Sequence, residues 1–384
     1  MNRRPSQPPK ARWLYWARNV SLRRVTTSAR LIPQIDGLRF VAIFLVLVDH
    51  VLNQGRPFMH PGDVLAEIGQ RSVGVHGVDL FFTLSGFVLA LPFARHFLHG
   101  ERPVNITAYF RRRLTRLEPP FVVAMFGRLI LFLAFSSASI GVILPHFFAG
   151  LFYLHTFIYG LPSMVNLPSW SLEIEVQFYI VAPLLALLFR LNPTWLRRTI
   201  FIALIAATAF LAPFYHQRMA LSLIGTLQFF LAGFLVCDLY VLRKSLPQLH
   251  WLWDIAGIAS FSFALWTLGP GYWIALPVAN ILLCLAALFG RILPRFLALS
   301  FISIVGGMCY SIYLTHNSVF SAVHAGLIRI PALLSHPQAF NAVMFASAFI
   351  AALCVGTVFF VLIERPCMDP AWPSKLRARF ARGR

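Results

Sequence analysis

Arg39 and His50 stand eleven residues apart in an apolar run from Ile35 to Leu52 that also holds Asp36 and Asp49. At 3.6 residues per turn that spacing is about three turns. It puts both basic side chains on nearly one helix face, roughly 16 Å apart along the axis. Ionisable groups inside an apolar helix are costly and turn toward a protein interior or a water-filled cavity. A fixed cation near one end and an imidazole further along describe a helix beside which a reagent is bound. The imidazole has the near-neutral pKa wanted in a general base. Asp36 and Asp49 are candidates to orient His50 or to balance Arg39. Asp49, though adjacent to His50, points about 100° away.

Further clusters accompany this pair. The run Tyr109-Phe-Arg-Arg-Arg-Leu-Thr-Arg-Leu-Glu-Pro-Pro120 sets Arg113 and Arg116 three apart, neighbours on a helix. Guanidinium forks match phosphate oxygens. The run is therefore either a topological stop at a membrane boundary or, facing the cavity of Arg39, an anion-binding mouth. Pro119 and Pro120 mark a helix start or a kink. Gly77 to Phe87 carries Asp79, read as a cap or charge partner, and Ser85-Gly86, small enough for close helix contact. In Ser169 to Tyr179, Glu173 and Glu175 fall on different faces and make no carboxylate pair. Glu175, Gln177 and Tyr179 form a polar cluster that is either structural or substrate-binding. Tyr310, Tyr313 and His316 fall at i, i+3 and i+6, a hydrogen-bonding ridge on one helix. Glu364-Arg365 reads as a local ion pair, and Arg128, inside an apolar run, as a group needing a structural carboxylate.

The elements that must position these residues are membrane helices. Of 384 residues 58% are hydrophobic and 12% charged, against about a quarter charged in soluble domains. Ten apolar runs are expected to span: 35–54, 74–97, 117–135, 169–190, 198–215, 221–241, 252–268, 271–289, 300–323 and 339–363. The fold class is an all-α, polytopic helical bundle. The net charge of +20 follows its topology rather than a nucleic acid. With both termini cytoplasmic, 27 of the 33 Lys and Arg fall in inner segments and Arg56, Arg71, Arg218 and Arg329 in outer ones. No nucleic-acid partner is expected. Residues 1–34 form a basic arm, 35–366 the transmembrane domain and 367–384 a basic tail. The arm lacks the pattern of a cleavable signal, so the first span is expected to persist. Residues 136–168, aromatic and free of Lys and Arg, either dip back against protein or form an extra span. The five cysteines include no CxxC pair and read as core residues, so neither a disulfide framework nor a metal site is expected.

Taken in order, IDGLRFVAIFLVLVDH (35–50), GVDLFFTLSGF (77–87), YFRRRLTRLEPP (109–120), WSLEIEVQFY (170–179), YSIYLTH (310–316) and IERP (363–366) resemble the acyltransferase-3 family of integral membrane acyltransferases, which includes glycan and O-antigen O-acetyltransferases. The resemblance implies a ten-span bundle of the bacterial inner membrane. It implies transfer of an acyl group, by default acetyl, from cytoplasmic acyl-CoA (acetyl-CoA) to a hydroxyl of a carbohydrate or lipid-linked glycan acceptor. The family's Arg-to-His pair falls on Arg39 and His50, its Arg-x-x-Arg motif on Arg113 and Arg116, and its fourth-span glutamate on Glu175. Thr315 and Glu118 depart from the family pattern. No appended esterase-like domain is expected, so a second transfer step would need another protein.

On this reading Arg39, Arg113 and Arg116 hold the phosphates of acyl-CoA, and the thioester lies near His50, the general base. Asp36 supports that pair, and Glu175, Tyr310 and His316 contact substrate. No permanently bound cofactor is expected. The competing reading is a proton-coupled transporter or flippase of a sugar or anionic substrate. It is weakened by the lack of an inverted repeat or of paired broken helices.

Overall fold

A computed structural model of the chain describes residues 22–24, 32–55, 73–135, 139–243, 250–266, 272–369, 371–372 and 374. Among the described residues regular structure is helical and no strand occurs. The apolar runs become α1 (Pro33–Gly55), α2 (Val73–His99), α3 (Ile106–Phe135), α4 (Ile140–Leu151), α5 (His155–Tyr159), α6 (Ser169–Leu185), α7 (Thr194–Leu211), α8 (Leu223–Val241), α9 (Trp251–Trp266), α10 (Tyr272–Phe289), α11 (Ser300–Gly307), α12 (Cys309–Leu327) and α13 (Pro337–Phe359). Most of the rest of the basic arm, Arg56, Arg71 and the tail beyond Ser374 lie outside the described residues.

Among the described residues six helical stretches are long and apolar enough to cross a bilayer: Val73–His99, Ile106–Phe135, Ser169–Arg190, Thr194–Phe214, Gln217–Val241 and Pro337–Cys367. The chain is an integral, multi-pass membrane protein. Burial sorts these stretches. The apolar windows of α2 and α8 are 72% and 67% buried, whereas those of α3, α7 and α13 are 28%, 28% and 22% buried. The first two form the centre, and the others turn apolar side chains such as Phe126, Ile130, Phe210 and Val358 outward, as lipid-facing helices do. α2 and α8 meet through small residues. A side chain on Gly233 would strike the Thr83 carbonyl and the Phe87 amide. Phe82 and Phe178 then stack on Phe230, with ring centroids 4.8 and 3.9 Å away.

α1 lies against this centre. It owes its close approach to α11 to Gly306, whose missing Cβ leaves room for the Asp36 carbonyl. The polar residues of α1 are thereby enclosed by protein rather than lipid. α3 starts eleven residues before the expected span and carries Pro119 and Pro120 inside it. The arginine run is therefore helical, with Arg113 and Arg116 one turn apart.

Residues 136–168 hold α4 and α5, joined by a turn at Tyr153 with φ 59° and closed by Gly160 with φ 71°. α4 has 12 residues, about 18 Å of rise, short of the ~30 Å hydrocarbon layer. It is not an extra span. Ile143 and Phe147 pack it onto Phe121, Met125 and Leu129 of α3.

Candidate active site

At the first turn of α1 the Asp36 carboxylate is 2% exposed, and each oxygen holds an arginine. Arg39 Nη1 donates to one at 2.7 Å and Arg24 Nε to the other at 2.8 Å. His50 lies fourteen residues on, about 21 Å along the axis. Asp36 therefore balances Arg39, as one of its two expected roles had it, and does not touch the imidazole, which corrects its placement with His50 in the chemistry. Arg24 escaped the sequence reading because nothing in the basic arm distinguishes it from its neighbours. It lies outside the spanning helices. Burial, then the nearby Arg39, push its guanidinium down to about 10 against the pull of Asp36, so it stays charged at neutral pH.

Arg39, Arg113, Arg116, Glu175 and Tyr310 line one cavity, together with Ser85, Ser171, Tyr179, Cys309 and Tyr313. Five of the predicted site residues thus share a single space. The Arg113 guanidinium lies 5.7 Å from the ring centroids of both Tyr109 and Tyr179, a cation–π arrangement that fixes its direction. Glu175 Oε1 accepts from the Tyr179 hydroxyl at 2.6 Å and from Ser85 Oγ at 2.9 Å. Gln177 is not part of this cluster, since its Oε1 accepts from the Leu223 amide at 3.1 Å. Glu173 takes the Thr156 amide at 2.8 Å, so the two glutamates do work on separate faces. Arg116 Nη2 lies 3.9 Å from Glu364 Oε1. Glu364 is fully buried in a π-helical turn (Phe360–Glu364) and also accepts from the Ser311 amide at 3.1 Å. The expected Glu364–Arg365 pair is not formed; Arg365 Nε reaches the Arg23 carbonyl at 3.5 Å. A wide turn of this kind re-aims one side chain out of helical register, which sequence spacing does not reveal.

The ridge on α12 serves three neighbours. Tyr310 Oη donates to the Leu117 carbonyl of α3 at 3.0 Å. The Tyr313 hydroxyl meets Ser171 Oγ of α6 at 2.9 Å and also donates to the Pro168 carbonyl. His316 Nε2 lies 2.7 Å from His50 Nδ1 of α1, and the two rings are within 19° of parallel. The imidazole pair is not part of the cavity lining. Tyr313 connects the two, lining the cavity and standing 6.0 Å, centroid to centroid, from the His316 ring.

The acceptors around His316 assign the protons of the pair. His316 Nδ1 faces the carbonyls of Tyr313 at 2.7 Å and Ile312 at 3.2 Å. A carbonyl only accepts, so Nδ1 carries the hydrogen and Nε2 the lone pair. His50 Nδ1 must then donate to His316, which leaves the lone pair of His50 on Nε2. His316, 0% exposed, is thus a partner of His50 rather than a substrate contact. His50 is half-buried and presents a basic nitrogen away from the bond that holds it.

A family model described as an acyltransferase domain matches residues 32–365. The O-acetyltransferase OatA of Staphylococcus aureus (strain NCTC 8325 / PS 47) is 23% identical over 335 residues, 79% of this chain and 53% of that protein. The acyltransferase MdmB of Streptomyces mycarofaciens is 29% identical over 197 residues, 50% of this chain and 48% of that protein. The chain therefore spans about half the length of these curated relatives. No solved structure matches it.

Proposed function

The chain belongs to the acyltransferase-3 family, matched from residue 32 to 365, and from that premise we propose a membrane O-acyltransferase that moves an acyl group from acyl-CoA to the hydroxyl of a carbohydrate or glycolipid acceptor. The observation that carries the proposal is the spacing of an arginine-lined cavity and a tautomer-locked imidazole along α1. Arg39, Arg113 and Arg116 line the cavity, with Arg24 beside Arg39 on Asp36. Several guanidiniums in one cavity favour the phosphates of a nucleotide-bearing donor. The pantetheine arm of CoA is long and thin, so the roughly 16 Å between Arg39 and His50 is a distance it can cover. Acetyl is the acyl group favoured by the relatives named as O-acetyltransferases.

In the proposed reaction His50 Nε2 takes the proton of the acceptor hydroxyl as its oxygen attacks the thioester carbonyl. The tetrahedral intermediate collapses with loss of the CoA thiolate, which takes the proton back from His50 and leaves as the thiol. His316 holds the imidazole in the tautomer that leaves Nε2 free, and stabilises the imidazolium by accepting its Nδ1–H. Glu175 orders Ser85 and Tyr179 at the cavity wall, and Tyr179 in turn stacks on Arg113.

The test is release of free CoA from acetyl-CoA by the purified, lipid-reconstituted protein, beside His50→Ala. The reading expects release by the wild type and its loss in the variant, with CoA binding retained. Neither binding nor release by folded wild-type protein, across several acyl lengths, would overturn it in favour of transport.

A further inference from the structure

Arg128 stands in α3 among Phe126, Leu129 and Ile130, where a structural carboxylate was expected. Among the described residues the structure supplies other partners. Nε donates to the Val165 carbonyl at 3.0 Å and Nη1 to Ser318 Oγ at 3.0 Å. Among the described residues no carboxylate pairs with it. A guanidinium carries five N–H donors and keeps its charge at any ordinary pH. Two neutral oxygens hold this one in place without neutralising it. An ionisable group at membrane depth that lacks an internal counter-charge marks a substrate path.

Three helices run in the same order past the imidazole pair. On α1 the sequence is Arg39, His50, then Gln54. On α12 it is Tyr310, His316, then Ser318 and Ser321. On α3 it is Arg116, then Arg128 twelve residues later, about 18 Å along the axis. Ser318, which holds Arg128, lies two residues past His316, and Gln54 Nε2 reaches Ser321 Oγ at 3.4 Å one turn past His50. Arg128 thus stands beyond the imidazoles along these helices, at the far end from the donor cavity, held by the Ser318 hydroxyl and the Val165 carbonyl.

Resting on the acyltransferase reading, we infer that Arg128 binds an anionic substituent of the acceptor, a carboxylate or a phosphate, and so sets the acceptor hydroxyl beside His50. The guanidinium fork fits both anions, and the hydroxyls of Ser318 and, one turn on, Ser321 suit a polyhydroxylated partner.

The experiment supplies acetyl-CoA and one of three pyranosides to the reconstituted protein: methyl glucoside, its uronic acid, or glucose 1-phosphate. Acyl transfer and CoA release are read together. The quantity is the ratio of kcat/KM for each anionic acceptor to that for methyl glucoside, which a general loss of active protein leaves unchanged. The wild type is expected to favour an anionic acceptor by about tenfold or more, and the carboxylate and phosphate arms tell which source is used. Arg128→Gln brings the ratio close to one, with Arg128→Lys intermediate. If Arg128→Gln does not fold, Ser318→Ala, which releases Nη1, lowers the ratio several-fold. A wild-type ratio near one, or a ratio unchanged in these variants, overturns the inference. Transfer to none of the three while CoA is still released overturns it too. A wild type that releases no CoA overturns the acyltransferase reading instead, and this inference with it.

Discussion

Replacing His316 by alanine tests the imidazole pair. His316 is 0% exposed and does not line the arginine cavity, so its effect on rate passes through the 2.7 Å bond to His50. In the resting state that bond selects the tautomer. In the transition state it links an imidazolium to a neutral acceptor, and hydrogen bonds to charged groups contribute about 1.5–3 kcal/mol. At about 1.4 kcal/mol per tenfold, His316→Ala is expected to lower kcat about 10- to 100-fold with little change in KM for acetyl-CoA. His50→Ala removes the base itself and costs about 10²–10⁴. The two losses share one mechanism, so the double variant is expected to equal His50→Ala alone rather than show the product of the losses. His316→Gln keeps a side-chain carbonyl able to accept from His50 Nδ1 and recovers part of the rate. The assay is steady-state CoA release with matched protein loading and a CoA-binding control. A His316→Ala rate within threefold of wild type, or a double variant whose losses multiply, would refute the relay.

Three other outcomes follow from the geometry. Arg24→Gln is expected to weaken CoA binding severalfold, more at low than at high salt, and to leave binding of acetyl-pantetheine, which lacks the nucleotide, unchanged; equilibrium binding to both ligands checks it. Gly233→Ala forces a methyl against the Thr83 carbonyl and Phe87 amide, and overpacking of this kind costs about 1–3 kcal/mol, seen as a lower thermal midpoint in detergent. His155, outside the spanning helices, has its imidazole pushed below the ordinary 6.5 by burial, with His146 adding to that and the Leu161 carbonyl opposing it. A depressed folded value means that the neutral ring supports the α4–α5 hairpin above about pH 6.5 and that this support is lost as pH falls through the lowered value. Hydrogen exchange over 140–160, corrected for its intrinsic pH dependence, is expected to rise on acidification in wild type and not in His155→Gln.

The legible part of the site was the part written along single helices. Arg39 and His50 are related by spacing on α1, Arg113 and Arg116 by spacing on α3, and Tyr310, Tyr313 and His316 by spacing on α12. The reading missed Arg24, which nothing in the basic arm distinguishes from its neighbours, and mistook the partners of Arg128 and Glu364, because these two pair with residues far away in the chain. Gln177 illustrates the same limit within four residues, since a helix turns it away from Glu175 and Tyr179 to cap Leu223.

Apolar runs of membrane length, charges gathered between them and the order of the motifs were enough to establish a helical membrane bundle and its family, because hydropathy and helical period are local properties of a segment. Which helices are central, that Asp36 holds two arginines instead of His50, that His316 locks the tautomer of His50 and that no carboxylate among the described residues pairs with Arg128 were decided by tertiary structure alone. These depend on how helices cross and rotate against one another. Crossing and rotation are set by contacts such as Gly306 on the Asp36 carbonyl and Gly233 on Thr83, made between segments whose spacing in sequence carries no record of their meeting.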